Sequence, residues 1–211
     1  MNVTRKILED LAVGVGVADR PEDLDVIHKP GVAAALWRRR PDPEFQAWID
    51  GLLPDQLPEA RVVLRSHNVQ AAVTTLCDKA GTPQGPERRR LIEDISAQAT
   101  IFAGLMGAAF LRLRLDVIAH DACRKFHIDA ITARLICTYR GTSTQYGIST
   151  DGFEPTRIFT TPTGSPLILR GTLWPTNPPA GLLHRSPPIE GSGETRLLLV
   201  LDPVDDPEHV I

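Results

Sequence analysis

The sequence has few cysteines and few aromatic residues. Its 211 residues include three cysteines, and aromatic side chains make up 5% of the chain. Cys77, Cys123 and Cys137 are widely spaced and form no CxxC pair, so we expect no disulfide framework. This cysteine usage is typical of a reducing compartment, and we expect a cytoplasmic protein.

Long hydrophobic runs are also missing. The longest largely apolar run, residues 99–111, is too short to cross a bilayer. The first ten residues lack the apolar segment of a signal peptide, so we expect no secretion signal. No GxxxxGK[ST] motif is present, and Gly14-Val15-Gly16 lacks a third glycine and an acidic partner. This favours a turn within a loosely ordered lead-in over residues 1–22, not a nucleotide loop.

Neither sign of charge dominates. The net charge is -3 and the pI is near 6.1, so the chain lacks the basic surplus of a nucleic-acid-binding protein. Hydrophobic residues make up 42% and charged residues 23%, which is ordinary for a globular protein with a sizeable core. We expect no nucleic-acid or membrane partner. Small molecules and peptides are the remaining classes of partner.

The first half of the chain has helical periodicity. Residues 42–52 predict a helix with proline in its first turn, and Ser66 or Asn68 is expected to cap a second helix. The longest pattern, over residues 87–107, carries one apolar stripe at helical spacing. The stripe consists of Leu91, Ile95, Ala99, Phe102 and Met106.

The second half of the chain changes to a period of two. In residues 110–118, polar and apolar side chains alternate, which predicts a half-buried strand. Seven further short extended segments follow, each bounded by Gly, Pro, Asp or Ser. Their approximate bounds are 124–128, 133–140, 144–148, 156–161, 165–170, 181–185 and 195–201.

Eight such strands predict a double-stranded β-helix, a jelly-roll or cupin-like barrel, over residues 110–205. Residues 1–109 are expected to form a helical flank that packs on the outside of one sheet. Within this flank, residues 61–65 predict a strand, and residues 32–37 predict a short strand or helix. The predicted fold class is therefore α+β, in a single structural domain.

His127 and Asp129 are candidate metal ligands. They are two residues apart, so on a strand both side chains project to the same face. A third ligand must come from another segment, and His184, in a later apolar segment, is the candidate. Two imidazoles and one carboxylate on one face of an ion form the ligand set of non-haem Fe(II) oxygenases.

Arg196 is a candidate co-substrate ligand because it opens the last apolar strand. An arginine that faces the inside of a barrel is an unpaired buried charge unless a carboxylate reaches it, and a co-substrate carboxylate would bind it bidentately. Arg185 and Arg170 are the competing candidates, and simple exposure is the alternative for Arg196. Tyr139 and Thr138 offer hydroxyl groups to the same co-substrate, although a strand tyrosine at the core edge is equally expected.

A second grouping of ligands is possible around Cys123. Five potential ligands fall within ten residues, namely His120, Asp121, Cys123, His127 and Asp129. Together with His184, a Cys/His/Asp set would suit Zn²⁺ in a closed site. On an unbroken strand, however, Cys123 would lie roughly 20 Å from Asp129 at ~3.3 Å per residue. We therefore expect Cys123, like Cys137, to serve in packing.

The order His127-x-Asp129, His184, Arg196 over eight strands resembles the HxD…H…R pattern of Fe(II)/2-oxoglutarate-dependent dioxygenases. This resemblance implies that the three ligands hold Fe(II), that 2-oxoglutarate chelates the metal, and that Arg196 binds its distal carboxylate. More closely, most of the chain resembles a bacterial group, the domain-of-unknown-function family 1826, whose label assigns no activity. The stretches that carry this resemblance are Phe126–Asp129, Arg134–Gly141 and His184–Pro187.

The preferred hypothesis is an Fe(II)- and 2-oxoglutarate-dependent oxygenase of the hydroxylase type, with a substrate that the sequence does not define. The alternative is a non-catalytic, cupin-like protein that uses the same three ligands to handle Zn²⁺ or another divalent ion without a co-substrate. A third hypothesis is a barrel without metal that acts as an interaction module. Arg196 distinguishes the first two, because a storage site has no use for an inward guanidinium.

Overall fold

The computed structural model describes residues 11–149 and 153–206. A seven-stranded sheet carries a layer of helices on one side and packs against a three-stranded sheet on the other. None of the helices in these two ranges is long and apolar enough to cross a membrane. The helices are α1 (Pro43–Gly51), α2 (Val69–Ala80) and α3 (Pro86–Met106), with 3-10 helices at Pro21–His28, Pro54–Gln56 and Ser66–Asn68.

The strands are β1 (Gly14–Ala18), β2 (Val32–Trp37), β3 (Ala60–Leu64), β4 (Phe110–Ile118), β5 (Ala133–Arg140), β6 (Gln145–Ile148), β7 (Phe159–Thr160), β8 (Leu167–Arg170), β9 (Leu182–Arg185) and β10 (Arg196–Val204). The large sheet has the order β1-β2-β8-β5-β10-β4-β3, and the small sheet has the order β7-β6-β9. Strands β1 and β2 are parallel, and the other strand pairs are antiparallel.

The helix ends follow local sequence signals. Asp42 begins α1, because its carboxylate accepts a hydrogen bond from the Glu44 N–H at 2.8 Å. Asn68 occupies the cap position of α2 without a capping side-chain bond, since the 3-10 turn over residues 66–68 leads directly into the helix. Gly107 ends α3 in the left-handed conformation, with φ of 62°.

Strand alternation creates two cores on the two sides of the large sheet. Leu197, Leu199 and Leu201 of β10 face the helices, whereas Leu198 and Val200 face the small sheet. The predicted stripe of α3 packs in the helix-side core, where its first four members are buried and the last is partly buried. Polar residues that share a face with Leu198 are therefore directed between the two sheets.

Several predicted elements are present with close bounds. The helices expected over residues 42–52 and 87–107 correspond to α1 and α3, and the strands over 110–118 and 133–140 match β4 and β5. The prediction of a strand over residues 124–128 is wrong. His127 makes only an isolated bridge to β9, and the residues around it turn away, so no ladder of backbone hydrogen bonds extends from it.

The N-terminal part is not purely helical, because β1, β2 and β3 join the large sheet. The prediction of a turn at residues 14–16 is wrong, since this segment opens β1. A Cβ on Gly16 would overlap the Val26 side chain, and one on Gly14 would lie 2.9 Å from the Gly31 carbonyl oxygen. The glycines thus allow the strand to lie against its neighbours. Residues 1–10 lie outside the described residues.

The three cysteines differ in exposure. Cys77 and Cys137 are buried, whereas Cys123 is exposed. The expectation that Cys123 serves in packing is therefore wrong, because this residue lies in the loop before His127 and not on a core strand. Burial raises the pKa of Cys137 to about 12, so its thiol stays protonated near neutral pH and reacts poorly as a nucleophile.

We expect a thiol reagent at about pH 8 to label one thiol in the folded protein and three after unfolding. Cys123→Ser should remove the reactive thiol, and Cys137→Ser should leave it. Because the pKa of Cys137 is raised, its labelling rate should stay negligible until the pH approaches that raised value. Rapid labelling of two thiols in the native protein, measured by absorbance or mass spectrometry, would contradict this placement.

Candidate metal and co-substrate site

Backbone pairing places His127 and His184 side by side. The His127 N–H donates to the His184 carbonyl at 3.1 Å, and the His184 N–H donates to the His127 carbonyl at 3.0 Å. Residues that exchange two backbone hydrogen bonds in this way project their side chains to the same face. The two imidazole centroids are 4.6 Å apart. One isolated bridge therefore aligns the rings without a regular strand at His127.

Asp129 reaches the two imidazoles from the loop that follows the bridge. Its Oδ1 lies 3.6 Å from His127 Nε2, and its Oδ2 lies 3.1 Å from His184 Nε2. One ligand atom from each residue lies within 4.8 Å of the others, and residues 11–149 and 153–206 contain no second cluster of this kind. The structure brings together the three predicted ligands. Asp121, of the alternative zinc set, instead accepts hydrogen bonds from the backbone N–H groups of residues 189 and 190.

Gly171 holds the loop that carries Asp129 against the end of β8. The Thr172 N–H donates to the Asp129 carbonyl, and the Gly171 N–H donates to the Thr132 carbonyl, both at 2.9 Å. A Cβ on Gly171 would overlap the Ile131 carbonyl oxygen and lie 2.8 Å from that of Asp129. The position of Asp129 therefore depends on a glycine 42 residues further along the chain.

Both imidazoles are set up to offer a lone pair. His127 Nδ1 lies 2.9 Å from the Lys125 carbonyl oxygen, and because a carbonyl only accepts, Nδ1 carries the hydrogen and Nε2 is free to bind a metal. Burial lowers the pKa of His184 against the opposing effect of Asp129. His184 is therefore neutral at neutral pH, as a metal-binding imidazole must be.

Arg134 links Asp129 to a second carboxylate. Its Nη1 lies 2.7 Å from Asp129 Oδ1, while Nε and Nη2 donate to the two carboxylate oxygens of Asp202 at 2.7 and 2.8 Å. Burial opposes the charge of Asp129, but the contact with His184 and the charges of Arg134 and His127 lower its pKa to about 2. Asp129 is therefore ionised at neutral pH.

The second carboxylate oxygen of Asp129 fits a metal. Oδ2 is buried and has no aligned hydrogen bond within the described residues, although His184 Nε2 lies 3.1 Å away. Leaving a buried acceptor unsatisfied costs free energy, and a cation shared with the two imidazoles would satisfy it. Two imidazoles and a carboxylate suit Fe(II) with open coordination positions.

We expect Asp202→Asn to weaken metal binding about 10- to 100-fold, although residue 202 is not a ligand. The substitution removes one of the two charges that fix Arg134, so Arg134 no longer orients Asp129. The measurement is a metal titration against a competing chelator, with the free energy of unfolding determined in parallel. Asp116→Asn removes a different carboxylate, which lines a cavity beside His127 and His184, and it should leave metal affinity unchanged. Equal affinity in Asp202→Asn and wild type would contradict the role of Arg134.

Arg196 is fully buried and only partly satisfied. It shares a face with Leu198, so its side chain is directed between the two sheets. Its Nε donates to the Thr142 carbonyl at 2.6 Å, but neither Nη1 nor Nη2 has a hydrogen-bond partner in the described part of the chain. Burial lowers the pKa of Arg196 to about 10. Such a group fits a ligand carboxylate, which would satisfy both nitrogens.

Thr138 lies near Arg196 on the same side of the sheet. It pairs with Leu198 across β5 and β10, two residues along β10 from Arg196, and its hydroxyl is buried with no hydrogen-bond partner among the described residues. Thr138 therefore provides an additional free donor on the same side of the sheet as Arg196.

The competing arginines have other roles. Arg185 Nε donates to Gln145 Oε1 at 2.9 Å, and its guanidinium lies 4.4 Å from the Phe126 ring centroid. Arg170 donates to the Ile27 carbonyl and so fixes the N-terminal 3-10 helix against β8. Protein groups therefore satisfy the guanidinium groups of Arg185 and Arg170 more fully than they satisfy that of Arg196.

Tyr139 lies on the opposite face of β5 from Thr138. Its hydroxyl donates to Asp94 Oδ2 at 2.6 Å and accepts from Gln98 Nε2 at 2.8 Å. Burial raises the pKa of Tyr139. The strand period of two directs consecutive residues to opposite sides, so the structure places Tyr139 against α3 and not beside the three candidate ligands.

We expect Tyr139→Phe to lower the free energy of unfolding by about 1–3 kcal/mol, because Asp94 and Gln98 lose a buried partner. The affinity for 2-oxoglutarate should not change. Urea denaturation and a ligand titration provide the two measurements. Tyr146→Phe, which removes the chain's second tyrosine hydroxyl, is the matched control and should affect stability less. Weaker 2-oxoglutarate binding at unchanged stability would instead support the predicted co-substrate role of Tyr139.

Sequence reasoning missed several charged residues beside the site. A cavity of about 90 Å³ adjoins His127 and His184, and Arg114, Asp116 and Arg134 line it. The signal was present, because the alternating charges of β4 mark one face of the strand. Alternation alone predicts a half-buried strand, and it does not show whether the charged face meets water or a second sheet.

Comparisons with known proteins give a family and a fold. The family described as "Protein of unknown function (DUF1826)" matches residues 18–202, and no curated protein matches. A solved structure of the dioxygenase for auxin oxidation 1 from Arabidopsis thaliana, described as a 2-oxoglutarate binary complex, is 9% identical, with a TM-score of 0.51 over 94% of this chain and 95% of that one.

Two further solved structures are less similar. The dioxygenase for auxin oxidation from rice is 12% identical, with a TM-score of 0.47 over 91% of this chain and 83% of that one. An oxidoreductase of the 2OG-Fe(II) oxygenase family from Burkholderia pseudomallei is 14% identical, with a TM-score of 0.43 over 92% and 98%. At these identities, the likeness to the Arabidopsis protein concerns the fold alone. The family match spans most of the sequence, as the sequence motifs led us to expect, and the chain therefore belongs to the DUF1826 family.

Proposed function

We propose that the protein is an Fe(II)- and 2-oxoglutarate-dependent oxygenase of the hydroxylase type. The observation that carries this proposal is the convergence of His127, Asp129 and His184, with Asp129 Oδ2 buried and unsatisfied. Three protein ligands on one face leave open positions for co-substrate and O₂, whereas a closed structural zinc site uses four. In this proposal, His127 Nε2, Asp129 Oδ2 and His184 Nε2 hold the iron.

Arg196 supports 2-oxoglutarate as the co-substrate. Its two unsatisfied terminal nitrogens match the two oxygens of a distal carboxylate, and the Thr138 hydroxyl provides a further donor nearby. A protein that only stores or transports a metal has no need for a buried, unpaired guanidinium. The fold shared with the Arabidopsis dioxygenase, whose structure is described as a 2-oxoglutarate complex, supports the same assignment.

The proposal includes a double-stranded β-helix as the scaffold. Strands β4, β10, β5 and β8 are consecutive in the large sheet, and β7, β6 and β9 form the small sheet. The His127 bridge beside β9 takes the place of an eighth strand. Apolar residues between the two sheets, such as Ile136 and Leu182, belong to one core. This arrangement directs the candidate ligands and Arg196 to the space between the sheets.

The residues of the chain position the reactants. Iron with 2-oxoglutarate and O₂ supplies the oxidising power to place one oxygen atom in a substrate C–H bond, with succinate and CO₂ as the other products. Arg134, fixed by Asp202, keeps Asp129 ionised and oriented. Leu198 and Ile136 line the cavity and limit the water that reaches it. Arg196 would orient the co-substrate by binding its distal carboxylate.

We expect a visible charge-transfer band when Fe(II) and then 2-oxoglutarate are added anaerobically. Arg196→Gln should weaken 2-oxoglutarate binding roughly 10- to 100-fold, because hydrogen bonds between charged groups are lost, and it should leave metal binding unchanged. Arg185→Gln is the matched control and should bind 2-oxoglutarate like the wild type. His127→Ala and His184→Ala should lose the metal.

Two outcomes would contradict the proposal. A missing band, together with tight Zn²⁺ binding, would favour the non-catalytic metal protein. Unchanged metal content in both His127→Ala and His184→Ala would refute any metal site at this position. Metal content is measured by elemental analysis of the purified variants, and folding is checked by circular dichroism.

A further inference from the structure

The cavity beside the candidate metal ligands contains one arginine that has neither a close counter-ion nor a hydrogen bond to a protein group among the described residues. Arg114, Arg134 and Arg185 all line this cavity. Arg134 is neutralised by its bidentate contact with Asp202, and Arg185 donates to Gln145. Arg114 is the arginine of the three that no protein group holds closely.

The contacts of Arg114 leave it short of hydrogen-bond acceptors. Its Nη1 lies 3.9 Å from Asp116 Oδ2, which is beyond hydrogen-bond distance. Its Nε is buried and has no hydrogen-bond partner within the two described ranges. Burial and then the charge of Arg134 lower the pKa of Arg114, which indicates an incompletely neutralised charge.

A second arginine faces the same direction. Arg61 of β3 pairs with Arg114 of β4 in the antiparallel ladder, so the two side chains lie on one face of the sheet. Like charges directly opposite each other are unfavourable. Arg61 is exposed and β3 is an edge strand of the large sheet. The pair therefore places an exposed positive charge next to Arg114, which lines the cavity.

Arg114 lies at a different position along the strands from Arg196, the candidate co-substrate ligand. Arg196 pairs with Ile118, whereas Arg114 pairs with Val200. Four residues of extended strand separate Ile118 from Arg114, which corresponds to about 13 Å at ~3.3 Å per residue. A 2-oxoglutarate molecule held by Arg196 therefore leaves Arg114 available for another ligand.

We propose that Arg114, with Arg61 beside it, binds an anionic oxygen group of the substrate, either a carboxylate or a phosphate. The guanidinium would donate through its buried Nε and a terminal nitrogen, a geometry that matches both groups. The substrate class is thus a small molecule or peptide with one such group near the carbon to be hydroxylated. The assignment of this anion to a substrate rests on the proposed function, whereas the anion site itself rests on the two arginines alone.

The test is saturation-transfer NMR on the 211-residue chain, with propionate and methyl phosphate as probes and propionamide as the neutral probe, because each of the three carries C–H protons that report binding. We expect one or both anions to bind and propionamide not to bind. Arg114→Gln should weaken anion binding at least about tenfold, and Arg61→Gln should weaken it less. Arg114→Lys keeps the charge and should retain part of the binding. Arg89→Gln removes an exposed charge on α3 and should have no effect.

Further variants distinguish the anion site from the co-substrate site at Arg196 and from the candidate metal site. Arg196→Gln and His127→Ala should retain anion binding, which would place the anion neither in the co-substrate pocket nor on the metal. The anion that binds more tightly identifies the anionic group of the substrate as a carboxylate or a phosphate. Binding that is absent, equal for propionamide, or unchanged in Arg114→Gln would overturn the inference. The charge-transfer band is measured separately, so a missing band with Arg114-dependent anion binding would refute the proposed oxygenase and retain the anion site.

Discussion

Arg134 lies between the partly buried carboxylate of Asp129 and the buried carboxylate of Asp202, and it connects three parts of the molecule. It projects from β5, binds Asp202 of β10 through two hydrogen bonds, and contacts Asp129 in the loop after the histidine bridge. Asp202 is almost fully buried, so loss of its cation would leave a charge that costs roughly 3–5 kcal/mol. Together with His184, the same contact lowers the pKa of Asp129, so this carboxylate is ionised. The stability of the large sheet and the arrangement of the candidate ligands thus depend on one guanidinium.

Strand alternation explains the separation between the helix-side core and the candidate site. In β5, Tyr139 faces α3 and joins Asp94 in a buried network, while Thr138 faces the space between the sheets. In β10, Leu197 and Leu199 support the helices, while Arg196 faces the other way. Because a strand has two faces, one element supplies both the apolar support and the polar groups of a site.

The arginines between the sheets differ in how fully protein groups neutralise them. At one end, Arg196 has two unsatisfied nitrogens and a neighbouring threonine hydroxyl. At the other, Arg134 is saturated by carboxylates, and Arg114 lies between them with one distant acid. Arg196 and Arg114 are thus two incompletely neutralised guanidinium groups at separate positions along the strands, and they would suit the two anionic ligands proposed above, a co-substrate and a substrate.

The long helix, the strands β4 and β5 and the three candidate ligands can all be predicted from the amino-acid sequence alone. These follow from short-range rules, since the stripe of α3 repeats at helical spacing and the charges of β4 alternate with a period of two. The spacing of His127 and Asp129 identified them even though the expected strand at 124–128 is absent. Their approach depends on the His184 bridge and not on a shared strand.

Which charged faces are buried depends on how the two sheets pack against each other. The alternating residues of β4 are equally consistent with a solvated face, and the packing of the small sheet is what encloses Arg114 and Asp116. The role of Gly171 depends on the approach of a loop 42 residues earlier in the chain. The partners of Arg134 and the free nitrogens of Arg196 arise from contacts between distant segments, and no local pattern encodes such contacts.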